Sequence, residues 1–168
     1  MMATPHILTG AAIGRATGRA WLAYPAAFGS HFLLDWAPHL DSHAMYGLPE
    51  GGPTLPEAGI AVTDFVLGAA LLIWLVHRDS DRRLVLTAGL MAIIIDLFEL
   101  IPPIGPLFKS WPGTAWLSAW HHGIQDNVTP DQWPLGVGTQ VAVIALSLAV
   151  ILHLKRKRGL TAKPLCGS

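Results

Sequence analysis

The sequence predicts an all-α protein: a polytopic membrane helical bundle of about five transmembrane helices plus a short outer helix. Three observations lead there. The composition is apolar, with 52% hydrophobic residues, only 13% charged residues and a mean hydropathy of +0.45 over 168 residues, whereas an average soluble domain carries about 25% charged residues. Three stretches each hold about the twenty apolar residues that a ~30 Å hydrocarbon layer requires. A net charge of zero also conceals a strong sorting of basic from acidic residues along the chain.

Pro5 to Ala20 is the weakest candidate span, since sixteen helical residues span about 24 Å. Its small residues Gly10, Ala11, Ala12, Gly14, Ala16 and Gly18 suit close helix packing. No positive charge precedes its apolar part, so it does not read as a signal peptide. Trp21 to Leu40 is the second element and ends at Pro38, because the residue before a proline resists the helical conformation. His39 onward then lies in an exit loop. Ala58 to His77 and Leu84 to Ile104 are the third and fourth elements, the latter interrupted only by Asp96 and Glu99. Within the long segment 105–132, Thr114 to Gln125 is expected to form a short helix opened by Gly113-Thr114. Trp133 to Leu154, without a formal charge, is the last element. Residues 1–154 thus form one membrane-embedded helical domain, and 155–168 a basic cytoplasmic tail.

Threading these elements alternately, with Arg15 and Arg19 facing the cytoplasm, places ten of the eleven Lys and Arg residues inside, Lys109 excepted. Such a bias is what the positive-inside tendency produces. Nine of the eleven acidic residues fall in the outer half or outer loops, leaving Asp79 and Asp81 inside. Loop 78–83 and the tail are therefore expected in the cytoplasm of a cell whose inner membrane holds the chain, with 41–57 and 105–132 outside. Trp21 and Trp74 fall near the inner boundary and Trp36, Trp111 and Trp133 near the outer one, as interfacial indoles do. One cysteine, Cys166, excludes an internal disulfide or a cysteine-built metal site. The basic run Lys155 to Arg158 reads as a cytoplasmic anchor, so no nucleic-acid partner is expected. Asn127-Val-Thr reads as a chance sequon, with Pro130 directly after it.

The chemistry-bearing residues gather at the outer ends. His31, Asp35, His39, Asp41 and His43 fall within thirteen residues of an otherwise apolar segment. His31 and Asp35, four apart, share one helix face. Imidazole nitrogen and carboxylate oxygen suit zinc and other first-row metals. Ionisable groups at membrane depth cost roughly 2.5–3.5 kcal/mol each on insertion scales, which makes them functional suspects. The same topology brings His6, Asp64, Asp96, Glu99, His121, His122 and Asp126 to the outer side. An antiparallel pairing of the first two elements is expected to bring the His6 ring within about 8 Å of Asp35. His121 and His122, adjacent on a helix, point about 100° apart, so one of them faces the site, and His121 is preferred. The expected metal ligands are His6, His31, Asp35, His39, Asp96 and His121; Glu99 and Asp64 are the candidate catalytic carboxylates, with Glu99 as general base.

Thr4-Pro-His6-Ile-Leu-Thr-Gly-Ala-Ala-Ile-Gly14 resembles the Thr-His-x-x-x-Gly opening of the YdjM-like inner-membrane metal-dependent hydrolases. Ser30-His31-x-x-x-Asp35 followed by Pro38-His39-x-Asp41 is similar to their second motif, and to the His-x-x-x-Asp element of zinc-dependent phospholipase C. The likeness covers residues 4–43 well and Asp64, Asp96 and His121-His122 more loosely. Pro5 separates Thr4 from His6. Where many relatives have Pro-Asp-x-Asp this chain has Pro38-His39-Leu-Asp41, which hands the role of an acidic ligand to His39. The resemblance implies a hydrolase that uses a divalent metal, zinc first and manganese second, without specifying a substrate. A site at the outer leaflet points to a phosphoester in a membrane lipid or lipid-linked substrate, which would arrive by lateral diffusion. Two other classes compete: a non-catalytic membrane scaffold whose His–Asp pairs satisfy one another, and a metal-ion or proton transporter. Transport needs a polar passage through the membrane, whereas the inner halves of 58–77 and 84–104 are apolar.

Overall fold

The computed structural model describes residues 1–41, 55–101 and 103–161, with side chains to 157. His43, one of the five clustered donors, lies outside the described residues. Eight helices account for most of them: α1 (Ala3–Thr17), α2 (Ala20–Asp35), α3 (Leu55–Val76), α4 (Arg82–Met91), α5 (Ile94–Leu100), α6 (Ile104–Ser110), α7 (Ala115–Ile124) and α8 (Trp133–Thr161). A 3₁₀ turn at Pro130–Gln132 precedes α8. No strand occurs among the described residues, apart from an isolated bridge between His39 and Asn127.

The weakest candidate span is the hub. Helix α1 packs against α2, α3, α4 and α8, and Pro5, His6, Ile7, Leu8, Gly10, Ala11, Ala12, Gly14 and Arg15 are all buried. Its small residues make this possible. A Cβ at Gly10 would lie 2.5 Å from the Ala88 carbonyl oxygen, and one at Gly14 would lie 2.7 Å from the Ala88 Cβ. Gly18 then turns the chain with φ 64°, its N–H closing on the Gly14 carbonyl at 3.1 Å, a left-handed cap that favours glycine. The reversal sets α2 beside α1 and brings their far ends together.

Two expectations are revised. The segment 84–104 is not one helix: α4 ends at Met91, Ile93 adopts φ −124°, and α5 begins at Ile94. Three successive β-branched residues, Ile93 to Ile95, crowd the preceding turn and weaken the helix at this point. Helix α5 then stops at Leu100, with Ile101 extended ahead of Pro102, and the unforeseen α6 follows. The expectation of about five spans is met only in part. Among the described residues two helical segments are long and apolar enough to cross a membrane, Leu55–Val76 and Pro130–Lys157; α1, α2, α4 and α5 have 15, 16, 10 and 7 residues.

The two ends of the bundle differ in charge. At one end Arg15, buried to 2%, reaches Asp79 and Asp81, and Lys155 joins Asp79 at 3.1 Å. This group ties α1 to the α3–α4 turn and to α8. Between the ends lies an apolar core of Ile7, Leu8, Ala11, Leu72, Val76, Val85 and Ile151. At the other end the histidines and remaining carboxylates meet.

Candidate metal centre

Asp35 is the last residue of α2, its side chain 1% exposed. Its Oδ2 lies 3.1 Å from His31 Nε2 and 3.0 Å from His121 Nε2. Its Oδ1 lies 3.1 Å from His6 Nε2 and also accepts a bond from the Met1 amine. The His6 ring, expected near Asp35, is in direct contact with it and stacks on His31 with centroids 4.2 Å apart. Asp96, on the first turn of α5, stands 3.5 Å from His31 Nε2 and 3.6 Å from His121 Nε2, and at 29% exposure it is the most open carboxylate here. Among the described residues three donor groups have ligand atoms within 4.8 Å of one another: His6, His31 and Asp96; His31, Asp35 and His121; Glu99, His121 and His122. The buried His, Asp and Glu side chains therefore could hold a metal ion.

Second partners orient the two central imidazoles. His31 Nδ1 lies 2.7 Å from the Ala92 carbonyl. A carbonyl only accepts, so Nδ1 carries a hydrogen and Nε2 is the nitrogen turned toward Asp35. That carbonyl belongs to the C-cap of α4, where backbone acceptors lack helical partners; the break between α4 and α5 thus supplies the group that aims His31. His121 Nδ1 faces Glu99 Oε1 at 3.4 Å while its Nε2 faces Asp35. An imidazole backed by a carboxylate or carbonyl is how metal-binding histidines are usually held. Phe32 packs edge-on against both rings and lies tilted against Trp120 on the α7 side.

The other expected residues fall as follows. His121 is buried and His122 is 52% exposed, with its Nε2 on Glu99 Oε2 at 2.8 Å. Glu99, expected to be a general base, instead has both oxygens engaged by these two histidines. It lies on the side of His121 opposite Asp35, because the two ring nitrogens point apart. Asp64, expected to be catalytic, joins none of the three groups. Its Oδ2 accepts the Thr4 backbone N–H and its carbonyl the Thr4 hydroxyl, both at 2.9 Å, so it fixes the height of α1 two residues before His6. His39 is fully buried but outside the tight groups; its backbone pairs with Asp126 and Val128. The Ala92 carbonyl was invisible to residue-type reasoning, since a backbone group carries no side-chain signal.

Burial alone would lower the pKa of His121, but its bonds to Asp35 and Glu99 outweigh this and raise it to about 9. In the metal-free protein His121 is therefore protonated at neutral pH, and a metal at Nε2 must displace that proton. Metal affinity should rise about tenfold per pH unit up to about pH 9 and then level off. Chelator competition between pH 6.5 and 9.5 checks this, and a flat profile below pH 8 would remove His121 from the ligand set.

Over the described residues, fold and site together define an all-helical protein with two helices apolar enough to cross a membrane and a buried histidine–carboxylate cluster that could hold a metal ion. The chain matches no family model, no curated protein and no solved structure.

Proposed function

We propose that this chain is a membrane-embedded, metal-dependent hydrolase acting on a phosphoester in a lipid or lipid-linked substrate, as its resemblance to the YdjM-like family implies. The observation that carries the reading is the shared aim of two buried Nε2 atoms, each backed at Nδ1 by an acceptor, at one oxygen of Asp35. A divalent ion held by His31, His121 and Asp35, zinc before manganese, would lower the pKa of a bound water toward neutrality and polarise a phosphoryl oxygen. Asp96, the half-buried carboxylate beside both nitrogens, would take the proton from the attacking water, a role its position suits better than that of Glu99. Glu99 instead holds the His121 ring in place. An apolar cavity of about 280 Å³ lined by Ile104, Leu107, Phe108, Trp111 and Thr114 offers an acyl chain a place on the same α5–α7 cap.

The five-span arrangement belongs to this reading. It is supported by the outward exposure of Trp21, Leu33, Trp36, Leu67, Trp74, Val141 and Leu146, a lateral surface that suits lipid. The site would then open to the outer leaflet of the inner membrane, opposite the Arg15–Asp79 end. Cysteines placed at Ser80 and Ser110 should differ in intact cells, with an impermeant thiol reagent reaching only position 110; labelling at position 80 alone would reverse the topology.

One observation favours a second reading, that of a structural scaffold: the same histidines and carboxylates already satisfy one another by hydrogen bonds. Metal content and phosphodiester or phospholipid turnover of the detergent-purified protein decide between the two. Metal-dependent turnover is expected, with Glu99→Gln losing about ten- to a hundredfold in metal affinity or rate as an outer-shell change does. A protein that holds no metal, even after added zinc or manganese, would be a scaffold.

A further inference from the structure

The row of donors does not end at the buried centre. On the side of His121 away from Asp35, Glu99 and His122 continue it outward. Exposure rises along that row: His121 is 1% exposed, Glu99 5% and His122 52%. Adjacent histidines on one helix point apart, yet both meet the one carboxylate. Glu99, on α5, turns Oε1 to Nδ1 of His121 and Oε2 to Nε2 of His122. The three groups thereby bring their ligand atoms within 4.8 Å of one another.

The spacing suits a cation. Two ligands about 2.1 Å from one tetrahedral ion lie about 3.4 Å apart, and His121 Nδ1 stands 3.4 Å from Glu99 Oε1. A charge-assisted hydrogen bond of this kind is commonly shorter, about 2.7–2.9 Å, as the His122 contact is at 2.8 Å. His121 belongs to this group and to the buried one, lending Nδ1 outward and Nε2 inward. A neutral imidazole carries one lone pair and one N–H, so the ring serves one ion at a time. An ion at Nδ1 leaves the N–H at Nε2 beside Asp35, and an ion at Nε2 leaves it at Nδ1 beside Glu99. Passage from one position to the other therefore moves the ring hydrogen between two carboxylates already in place to receive it.

We propose that Glu99, Nδ1 of His121 and Nε2 of His122 form an outer cation position, through which a divalent ion enters the buried centre. It is the weaker of the two, because His122 is open to water. Glu99 is a ligand while the ion is outside and the support of the His121 ring once the ion is inside. This rests on the metal-centre reading above, and the two can fail separately.

The metal-free full-length protein in detergent is mixed rapidly with Co²⁺, and loading is followed by its visible absorption; release is followed after excess chelator is added. Wild-type protein should saturate at one ion per chain. His122→Ala should bind one ion with wild-type affinity, which also shows that the centre is folded. It should load and release that ion at least about tenfold more slowly, the scale of losing one supporting group near a metal, with both rates reduced by the same factor. His122→Gln, close in size and still able to donate to Glu99 but a poor cation ligand, should behave like the alanine variant. Unchanged rates in both variants would overturn the proposal and make the half-buried Asp96 the way in. Weakened affinity at an unchanged loading rate would overturn it too, because His122 would then only support His121. Two ions per wild-type chain would overturn the sharing of the ring. Wild-type protein that binds no Co²⁺ would overturn the metal-centre reading itself.

Discussion

Asp35→Asn should lose bound metal, with affinity falling by more than about a hundredfold, since even outer-shell changes cost ten- to a hundredfold. Turnover should fall with it, while the protein still inserts and folds. The carboxylate is the one group that touches His6, His31, His121 and the Met1 amine together. Asparagine keeps its shape but replaces one acceptor oxygen with a donor and removes the negative charge. His121 loses one of the two bonds that raise its pKa, so its pKa should drop, and a histidine titration followed by NMR would record this separately from metal content. Metal stoichiometry undiminished in this variant would remove Asp35 from the ligand set and with it the proposed chemistry. Helical content should change little, because the apolar core through Leu8, Val76 and Ile151 does not depend on the site.

The second large effect should come from a position that touches no donor. Gly10→Ala puts a Cβ 2.5 Å from the Ala88 carbonyl oxygen and 2.6 Å from the Ala92 Cβ. Both contacts are closer than atoms allow, so α1 and α4 must separate, at a cost of about 1–3 kcal/mol for overpacking. The same displacement moves Ala92, whose carbonyl aims His31, and should weaken metal binding as well. Gly29→Ala makes the identical chemical change where nothing lies within 4 Å. There the gain in helix propensity, up to about 1 kcal/mol, should leave the protein as stable or more so. Thermal unfolding in detergent with metal titration of both variants tests the pair. Equal behaviour of the two would show that the α1–α4 contact does not set the site.

Much of the site was legible as residue types. His31 and Asp35 share a face because they lie four residues apart on a helix, and that helix stops at Asp35, ahead of Pro38, so that His39 lies beyond it. His6 joined them because a left-handed Gly18 reverses the chain, bringing the far ends of two neighbouring helices together. The roles of the carboxylates were not legible in the same way. Asp64 and Glu99 have the right chemistry and the right depth, yet one holds the Thr4 backbone and the other the back of His121. Nothing in their spacing distinguishes them from Asp96.

The sequence by itself determined the helical class, the apolar lengths and the sorting of charge toward two ends, because these depend on local spacing and on composition. The tertiary structure decided which way each ring nitrogen faces, since that is set by partners distant along the chain: Ala92 at Nδ1 of His31, 61 residues away, and Asp35 at Nε2 of His121, 86 residues away. It also decided that α1, short and rich in small residues, sits at the centre. Glycines and alanines contribute little burial individually, but they let four other helices approach its backbone, and that benefit appears only when the neighbours are in place.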